Sequence, residues 1–313
     1  MFMLHSINSA LRSLSRQTHE EPCPESSASI EGESQPQGSR PSAEEAPSII
    51  YGTAWKGEHT DRCVTQAVTA GFRAFDTAAQ PAHYREDLIQ TKYTPPASQD
   101  PENMPYSPDM TITEQVRASV LSSLHNLRVG TPDEAAYLDA VLLHTPFPSR
   151  EHTLEAWRAL EEFVPHRVPS LGVSNISYGQ LEHLGQRARI KPGIVQNRLR
   201  AKTGYDKELR QLCALNGCQY QAYGVLGSNR DLIACRPVLE FAAEVGVDAA
   251  VSLFFLLQQT LGVCILAGTA QTERMGGSIG GLARVESWLR DKKNAHAWDA
   301  LSGGFISELQ GYM

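Results

Sequence analysis

From Ile49 onward the chain repeats one unit, a short apolar run followed by a longer amphipathic stretch. The runs are "IIYGTAW", "FRAFDTA", "LIQTKYT", "AVLLHTP", "SLGVSN", "GIVQNRL", "YQAYGVL" and "VCILAG". Most are separated by helical patterns such as "RCVTQAVTAGF", "TEQVRASVLSSLHNL", "TLEAWRALEEFV", "YGQLEHLGQRA", "KELRQLCALNG" and "PVLEFAAEVG". Nearly continuous apolar runs suit parallel strands, because helices then cover both faces of the sheet. Eight such units over about 250 residues predict an α/β fold of the (β/α)8 TIM-barrel type. An open doubly wound sheet is the runner-up, but no GxGxxG follows the first run to support it.

Residues 1–47 differ in kind. "EEPCPESSASIEGESQPQGSRPSAEEAPS" is rich in Glu, Ser, Pro and Gly and almost lacks aliphatics, so burial cannot offset its ordering entropy. A disordered segment over 1–47 and a barrel domain over 48–313 are therefore expected. The first residues, "MFMLHSINSALRSLSRQ", are acid-free and weakly amphipathic. A frayed helix without a role explains them, and a mitochondrial presequence is the alternative.

The formal charge of -7 argues against a nucleic-acid or anionic-membrane surface. The most apolar stretch, "AAVSLFFLLQQTLGVCILAG", is broken by Gln258, Gln259, Thr260 and Gly262, so it reads as a buried helix followed by a buried strand. The six cysteines form no CxxC pair, and most lie on apolar faces as small hydrophobes. A reducing compartment follows, with a cytoplasmic protein and no metal site as the expectation.

In a barrel of this kind the active site lies at the carboxyl ends of the strands. The runs close on Asp76, Lys92, His144, Ser174 with Asn175, Gln196 with Asn197, Tyr223, and Gly268 with Thr269. One polar residue at a strand end is usually a satisfied local hydrogen bond. Nearly every strand ending in a donor or acceptor points to a common mouth.

These residues, in this order, resemble the aldo-keto reductases from Ile49 to about Met275. "GFRAFDTA" resembles the family's second strand with its catalytic aspartate, Asp76, and "HYRE" the tyrosine-bearing start of the next helix, Tyr84. "IQTKYT" is similar to the third strand with its lysine, Lys92, and "LLHTP" to the fourth with its histidine, His144. The spacing in "DTAAQPAHY" is similar to a fungal-type, NADP-dependent subgroup. The resemblance implies that Ser174, Asn175 and Gln196 hold a nicotinamide carboxamide and that Tyr223 stacks on the ring. It also implies that the segment with Gly268, Thr269 and Arg274 grips the adenosine phosphate. Specificity in a barrel comes from its loops, so "PPASQDPENMPYSPDM" (95–110) is expected to wall the substrate pocket, with His83 and Trp55 lining it; a core tryptophan is the alternative for Trp55.

The chemistry follows from elementary acid–base behaviour. Hydride transfer to a carbonyl creates an alkoxide that must be protonated as it forms. A tyrosine with a pKa near 10 is a poor acid at neutral pH unless a neighbour helps. A buried Lys92 ammonium would supply that help, and Asp76 would pair with it because an unpaired buried ammonium is costly. His144 would orient the carbonyl oxygen. Taken singly, Asp76 can be a cap, Tyr84 a surface aromatic and Lys92 a snorkelling chain. Taken with the strand-end pattern, the four read as one proton-donating relay.

Arg274 suits bidentate pairing with a 2′-phosphate, which favours NADPH over NADH. Two departures qualify this. Relatives often carry a lysine where this chain has Gly268, and "MGGSIGGLARVESW" lacks the acidic-amide pair that many use on the adenine.

One connection is too short. About ten residues separate the second and third runs, whereas a parallel crossover with a helix needs a dozen or more. Extended chain can return along a strand in that length, but cannot also form a covering helix. The barrel is thus expected to lack its second outer helix, with a loop or single turn near Ala79 to Asp87. The outer faces of the second and third strands are then expected to be exposed and open to a protein partner. Two functions follow: reduction of a small aldehyde or ketone with NADPH, or an impaired barrel relative that binds a nucleotide or a protein.

Overall fold

Each of the eight apolar runs is a β-strand. The computed structural model of the chain describes residues 47–54, 56–77, 88–127 and 136–312. The strands are β1 (Ile49–Gly52), β2 (Ala74–Asp76), β3 (Leu88–Tyr93), β4 (Ala140–Leu143), β5 (Ser170–Ser174), β6 (Ile194–Arg198), β7 (Gln219–Tyr223) and β8 (Cys264–Ala267). Neighbours in sequence pair in parallel, and β8 returns to β1 to close the barrel. Closure removes the open sheet from consideration.

The amphipathic patterns are the outer helices α1 (Thr60–Thr69), α2 (Ile112–Leu127), α3 (Arg150–Glu161), α4 (Tyr178–Arg187), α5 (Lys207–Leu215) and α6 (Arg236–Val245). Two more, α7 (Ala249–Leu261) and α8 (Thr272–Arg290), flank β8, and α9 (Ala295–Gln310) follows. Their boundaries have local causes. Ser149 accepts a hydrogen bond from the His152 N–H at 3.2 Å and so caps α3. Gly262 stops α7 at a φ of 65° and lets the chain turn directly into β8, as the interrupted apolar stretch predicts.

The period of two along each strand sorts side chains into two cores. Phe75, Ile89, Tyr93, Val141, Val173, Val195, Tyr220 and Ile265 point outward and join the main core with the helices. Ile50, Ala74, Cys264 and Leu266 cluster inside the barrel, as do Ala140, Leu142 and Ile194. Gly172 belongs to this interior. A Cβ there would lie 2.7 Å from Leu142 Cγ and 2.8 Å from Ile194 Cβ, so any side chain would force the strands apart.

β2 and β3 are direct parallel neighbours, with Ala74 opposite Leu88 and Asp76 opposite Gln90. Residues 78–87 lie outside the described residues, and with them the expected loop or turn near Ala79 to Asp87. The expectation of an exposed face is corrected. Phe75 is 1 % exposed, Ile89 6 % and Tyr93 0 %. The Phe75 ring stands edge-on to Tyr51 at 6.1 Å, and Tyr93 lies 5.7 Å from Tyr106. Cys63, Val64 and Ala67 of α1 and Val116, Val120 and Leu124 of α2 share this core. The apolar surface that was to attract a protein partner is therefore buried at these positions.

Among the described residues no helix is long and apolar enough to cross a membrane. Cys63, Cys213 and Cys218 are free and buried, and Cys264 is buried too, in keeping with their reading as small hydrophobes.

Candidate functional site

The inward-facing positions of β2 and β3 put Asp76 and Lys92 side by side. Lys92 Nζ lies 2.5 Å from Asp76 Oδ1 and 2.6 Å from Oδ2, and it also donates to the Thr77 carbonyl at 3.3 Å. Both side chains are buried, so the pair stands only if its remaining hydrogen-bonding capacity is met. It is met from inside the barrel. Gln90 Nε2 donates to Asp76 Oδ1 at 2.7 Å and Gln196 Nε2 donates to the same oxygen at 3.1 Å.

Beneath this pair lies a network of amides. Gln90 and Gln221 face each other across the barrel and exchange hydrogen bonds of 2.7 and 2.9 Å. Gln196 donates to Gln221 Oε1 at 3.0 Å, and Gln221 donates to Gln219 Oε1 at 2.9 Å. Gln90, Gln196 and Gln221 thus each use both N–H hydrogens, which fixes the orientation of each amide.

His144 follows β4. Its backbone N–H donates to Tyr93 O at 2.9 Å, which extends the β3–β4 ladder to the mouth. Its Nδ1 lies 2.8 Å from Thr94 Oγ1. Burial, and then the Lys92 charge, push the imidazole pKa down to about 4, against an opposing pull from Asp76. At neutral pH the ring is therefore uncharged and carries one N–H.

A stability signature follows. As pH falls from 6.5 to about 4, the unfolded chain takes up a proton at His144 that the folded site refuses. Stability is therefore lost across this window as pH falls, and the loss stays at its full value below it. Thermal melts of wild type and His144→Gln should show a steeper decline between pH 6.5 and 4 in the wild type. Parallel declines would mean that the folded site protonates this ring freely.

Asn175 ties the opposite side of the mouth together. Its φ is 57°, a left-handed backbone uncommon for a residue other than glycine. Its Nδ2 donates to His144 O at 2.9 Å and its Oδ1 accepts from the Tyr223 hydroxyl at 2.6 Å. Ser174 Oγ donates to Gln196 O at 2.7 Å. Arg198 stacks over the Tyr223 ring, 5.0 Å from its centroid. Asn197 does different work: its amide clasps the backbone N–H and C=O of Ile176 at 3.0 and 2.8 Å.

After β8, the Gly268 carbonyl accepts from Lys56 Nζ at 3.0 Å, and the Thr269 carbonyl accepts from the Tyr51 hydroxyl at 2.8 Å. Arg274 lies exposed in the first turn of α8. Asp76, Lys92, His144, Ser174, Asn175, Gln196 and Tyr223 are thus joined through hydrogen bonds at one end of the barrel. Gly268, Thr269 and Arg274 follow the β8 end. Trp55, His83 and Tyr84 lie outside the described residues.

Gln90, Gln221, Thr94, Arg198 and Lys56 escaped the reading of the sequence. A signal existed for three of them. Gln90 and Gln221 sit two residues before Lys92 and Tyr223, and Thr94 two residues after Lys92, so the strand period puts them on the same inward face.

The model of the aldo/keto reductase family matches residues 48–230. Deoxymugineic acid synthase 1-D of wheat (Triticum aestivum) is 27% identical over 278 residues, covering 77% of this chain and 83% of that protein. Among solved structures, the aldo-keto reductase MGS-M4 from a deep-sea metagenome aligns with a TM-score of 0.60 at 22% identity, covering 75% of this chain and 86% of its own. The silkworm (Bombyx mori) aldo-keto reductase complexed with NADPH aligns with a TM-score of 0.59 at 20% identity, covering 75% and 79%.

Proposed function

The chain belongs to the aldo/keto reductase family of oxidoreductases, and from that premise we propose that it reduces an aldehyde or ketone to the alcohol with NADPH. The observation that carries this reading is the buried Lys92–Asp76 pair, with His144 beside it, at the carboxyl ends of a closed parallel barrel.

The residues fit a nicotinamide dinucleotide. Both Gln196 N–H hydrogens are engaged below, which leaves its carbonyl oxygen to accept from a carboxamide N–H. Ser174 and Asn175 would share that task. Arg198 covers the Tyr223 ring with a cation, which supports the use of the ring as a stacking platform. The lysine that relatives carry at the Gly268 position is absent, but Lys56 bonds the Gly268 carbonyl and brings an ammonium there from the β1 side. The silkworm relative is one that was solved with NADPH, which supports the same cofactor class here.

When bound, the reduced nicotinamide supplies the hydride. The chain's own residues handle the proton and the charge. His144 donates its N–H to the carbonyl oxygen and orients it. Tyr84 gives its hydroxyl proton to the oxygen as the alkoxide develops. Lys92 stabilises the negative charge left on the phenol, and Asp76 holds Lys92 in place.

Substrate-dependent oxidation of NADPH by the purified protein across a broad panel of aldehydes and ketones tests this. NADPH binding with no turnover on any of them would overturn it. That outcome would support the second reading, a nucleotide-binding barrel impaired by the short connection over residues 77–87. The cofactor choice has its own test. Arg274→Ala should weaken NADPH binding by roughly ten- to a hundredfold, as for loss of a charge-assisted hydrogen bond, with little change for NADH. Equal losses for both would assign the phosphate to another group.

A further inference from the structure

We propose that Thr94 is a positioning residue that holds His144 as its Nε2–H tautomer, and that Tyr106 in turn fixes Thr94. The consequence for catalysis rests on the reading above, in which His144 orients the carbonyl oxygen; the tautomer itself does not.

A neutral imidazole has one nitrogen that donates and one that accepts. The Thr94 hydroxyl, 2.8 Å from Nδ1, can meet either form. What decides between them is the fate of the hydroxyl's own proton. Thr94 is 6 % exposed, and its Oγ1 makes no other hydrogen bond among the described residues. If Oγ1 accepted from an Nδ1–H, its proton would point into a buried site with no acceptor among the described residues. A buried donor left unmet costs ~1–3 kcal/mol, whereas an idle lone pair on the oxygen costs less. Thr94 therefore donates, Nδ1 accepts, and the ring proton sits on Nε2.

The hydroxyl keeps this aim because the backbone behind it is pinned. The Tyr106 hydroxyl donates to the Thr94 carbonyl, and Tyr106 is buried with its ring tilted against Tyr93. The Tyr93 hydroxyl donates to Gln115 Oε1 at 3.0 Å, and Gln115 Nε2 donates to the carbonyls of Met110 and Pro108 at 2.8 and 3.2 Å. The 106–110 end of the 95–110 segment is thus fastened to the strand that carries Lys92.

The tautomer matters because only Nε2–H offers a donor to a carbonyl oxygen approaching from the mouth. The other form would present a lone pair to it.

The test is nitrogen-15 NMR of the full chain with labelled histidine, without cofactor, at pH 7.5, with His144→Gln identifying the resonance. Wild type should show a bare Nδ1 and a protonated Nε2. Thr94→Val, close in shape but unable to donate, should move the ring toward Nδ1–H, and Thr94→Ser should restore the wild-type pattern. A protonated Nδ1 in wild type overturns the proposal, and so does an unchanged tautomer in Thr94→Val. Should the valine variant fail to fold, the wild-type spectrum alone still decides. With a carbonyl substrate, Thr94→Val should lower kcat about ten- to a hundredfold at unchanged NADPH affinity, with recovery in Thr94→Ser. A tautomer that responds as stated in a protein without turnover would leave this proposal standing and sink the functional reading. Turnover with an unresponsive tautomer would do the reverse.

Discussion

Methionine in place of Lys92 is expected to lower turnover by about 10²–10³-fold and to destabilise the fold by about 3–5 kcal/mol. The two losses have different origins. Stability falls because Asp76 stays buried as a carboxylate with only the Gln90 and Gln196 amides to face it. Activity falls because the positive charge that stabilises the phenolate is gone. Adding Asp76→Asn to Lys92→Met separates them. Removing both charges should recover much of the stability while turnover stays low, since the pair is coupled in folding but only Lys92 meets the developing charge. Urea unfolding and steady-state rates on the wild type and the two variants give the comparison. Recovery of turnover in the double variant would mean that the ammonium has no part in the chemistry. Failure to recover stability would mean that the single variant suffers from lost packing and not from a stranded charge.

Phenylalanine at position 84 is expected to reduce kcat by about 10²–10⁴-fold, the range associated with a positioned proton donor. NADPH affinity should scarcely change, because the hydroxyl acts in the transition state and not in holding the ground state. Fluorescence titration of NADPH beside turnover measurements reads both quantities. A Tyr84→Phe variant that keeps most of its activity would move the proton donor to another group, with His83 the first to examine by substitution.

Much of the fold was legible because strand and helix differ in period as well as in composition. "AVLLHTP" and "VCILAG" begin with apolar residues on both faces, as suits covered strands, whereas "TLEAWRALEEFV" repeats its apolar residues at helical spacing. The strand-end residues were legible for a related reason: a polar residue ending an apolar run is visible in one dimension. The amides of Gln90 and Gln221 were not, because their partners lie across the barrel on strands far apart in sequence. A glutamine in the middle of an apolar run looks like an interruption until its partner is known. Thr94 was overlooked because its value comes from one ring nitrogen on a different strand.

The expected bare face of β2 and β3 failed for the opposite reason. Counting connecting residues gives the reach of one segment, but Phe75 and Tyr93 are covered by Tyr51 and Tyr106, which reach them from elsewhere in the chain.

The clasped glutamines give the barrel interior a property that liquid water lacks. Around an ion in water, dipoles are free to turn, and they must turn again whenever charge shifts nearby. Gln90 and Gln196 already face the Asp76 carboxylate, and neither can rotate away without breaking its bond to Gln221. The carboxylate sits in a frozen solvation shell whose reorganisation was completed during folding. Gln221 touches no charged group among these contacts, yet it acts as the latch of that shell, so the electrostatics of the mouth are set partly by a neutral residue one layer below it.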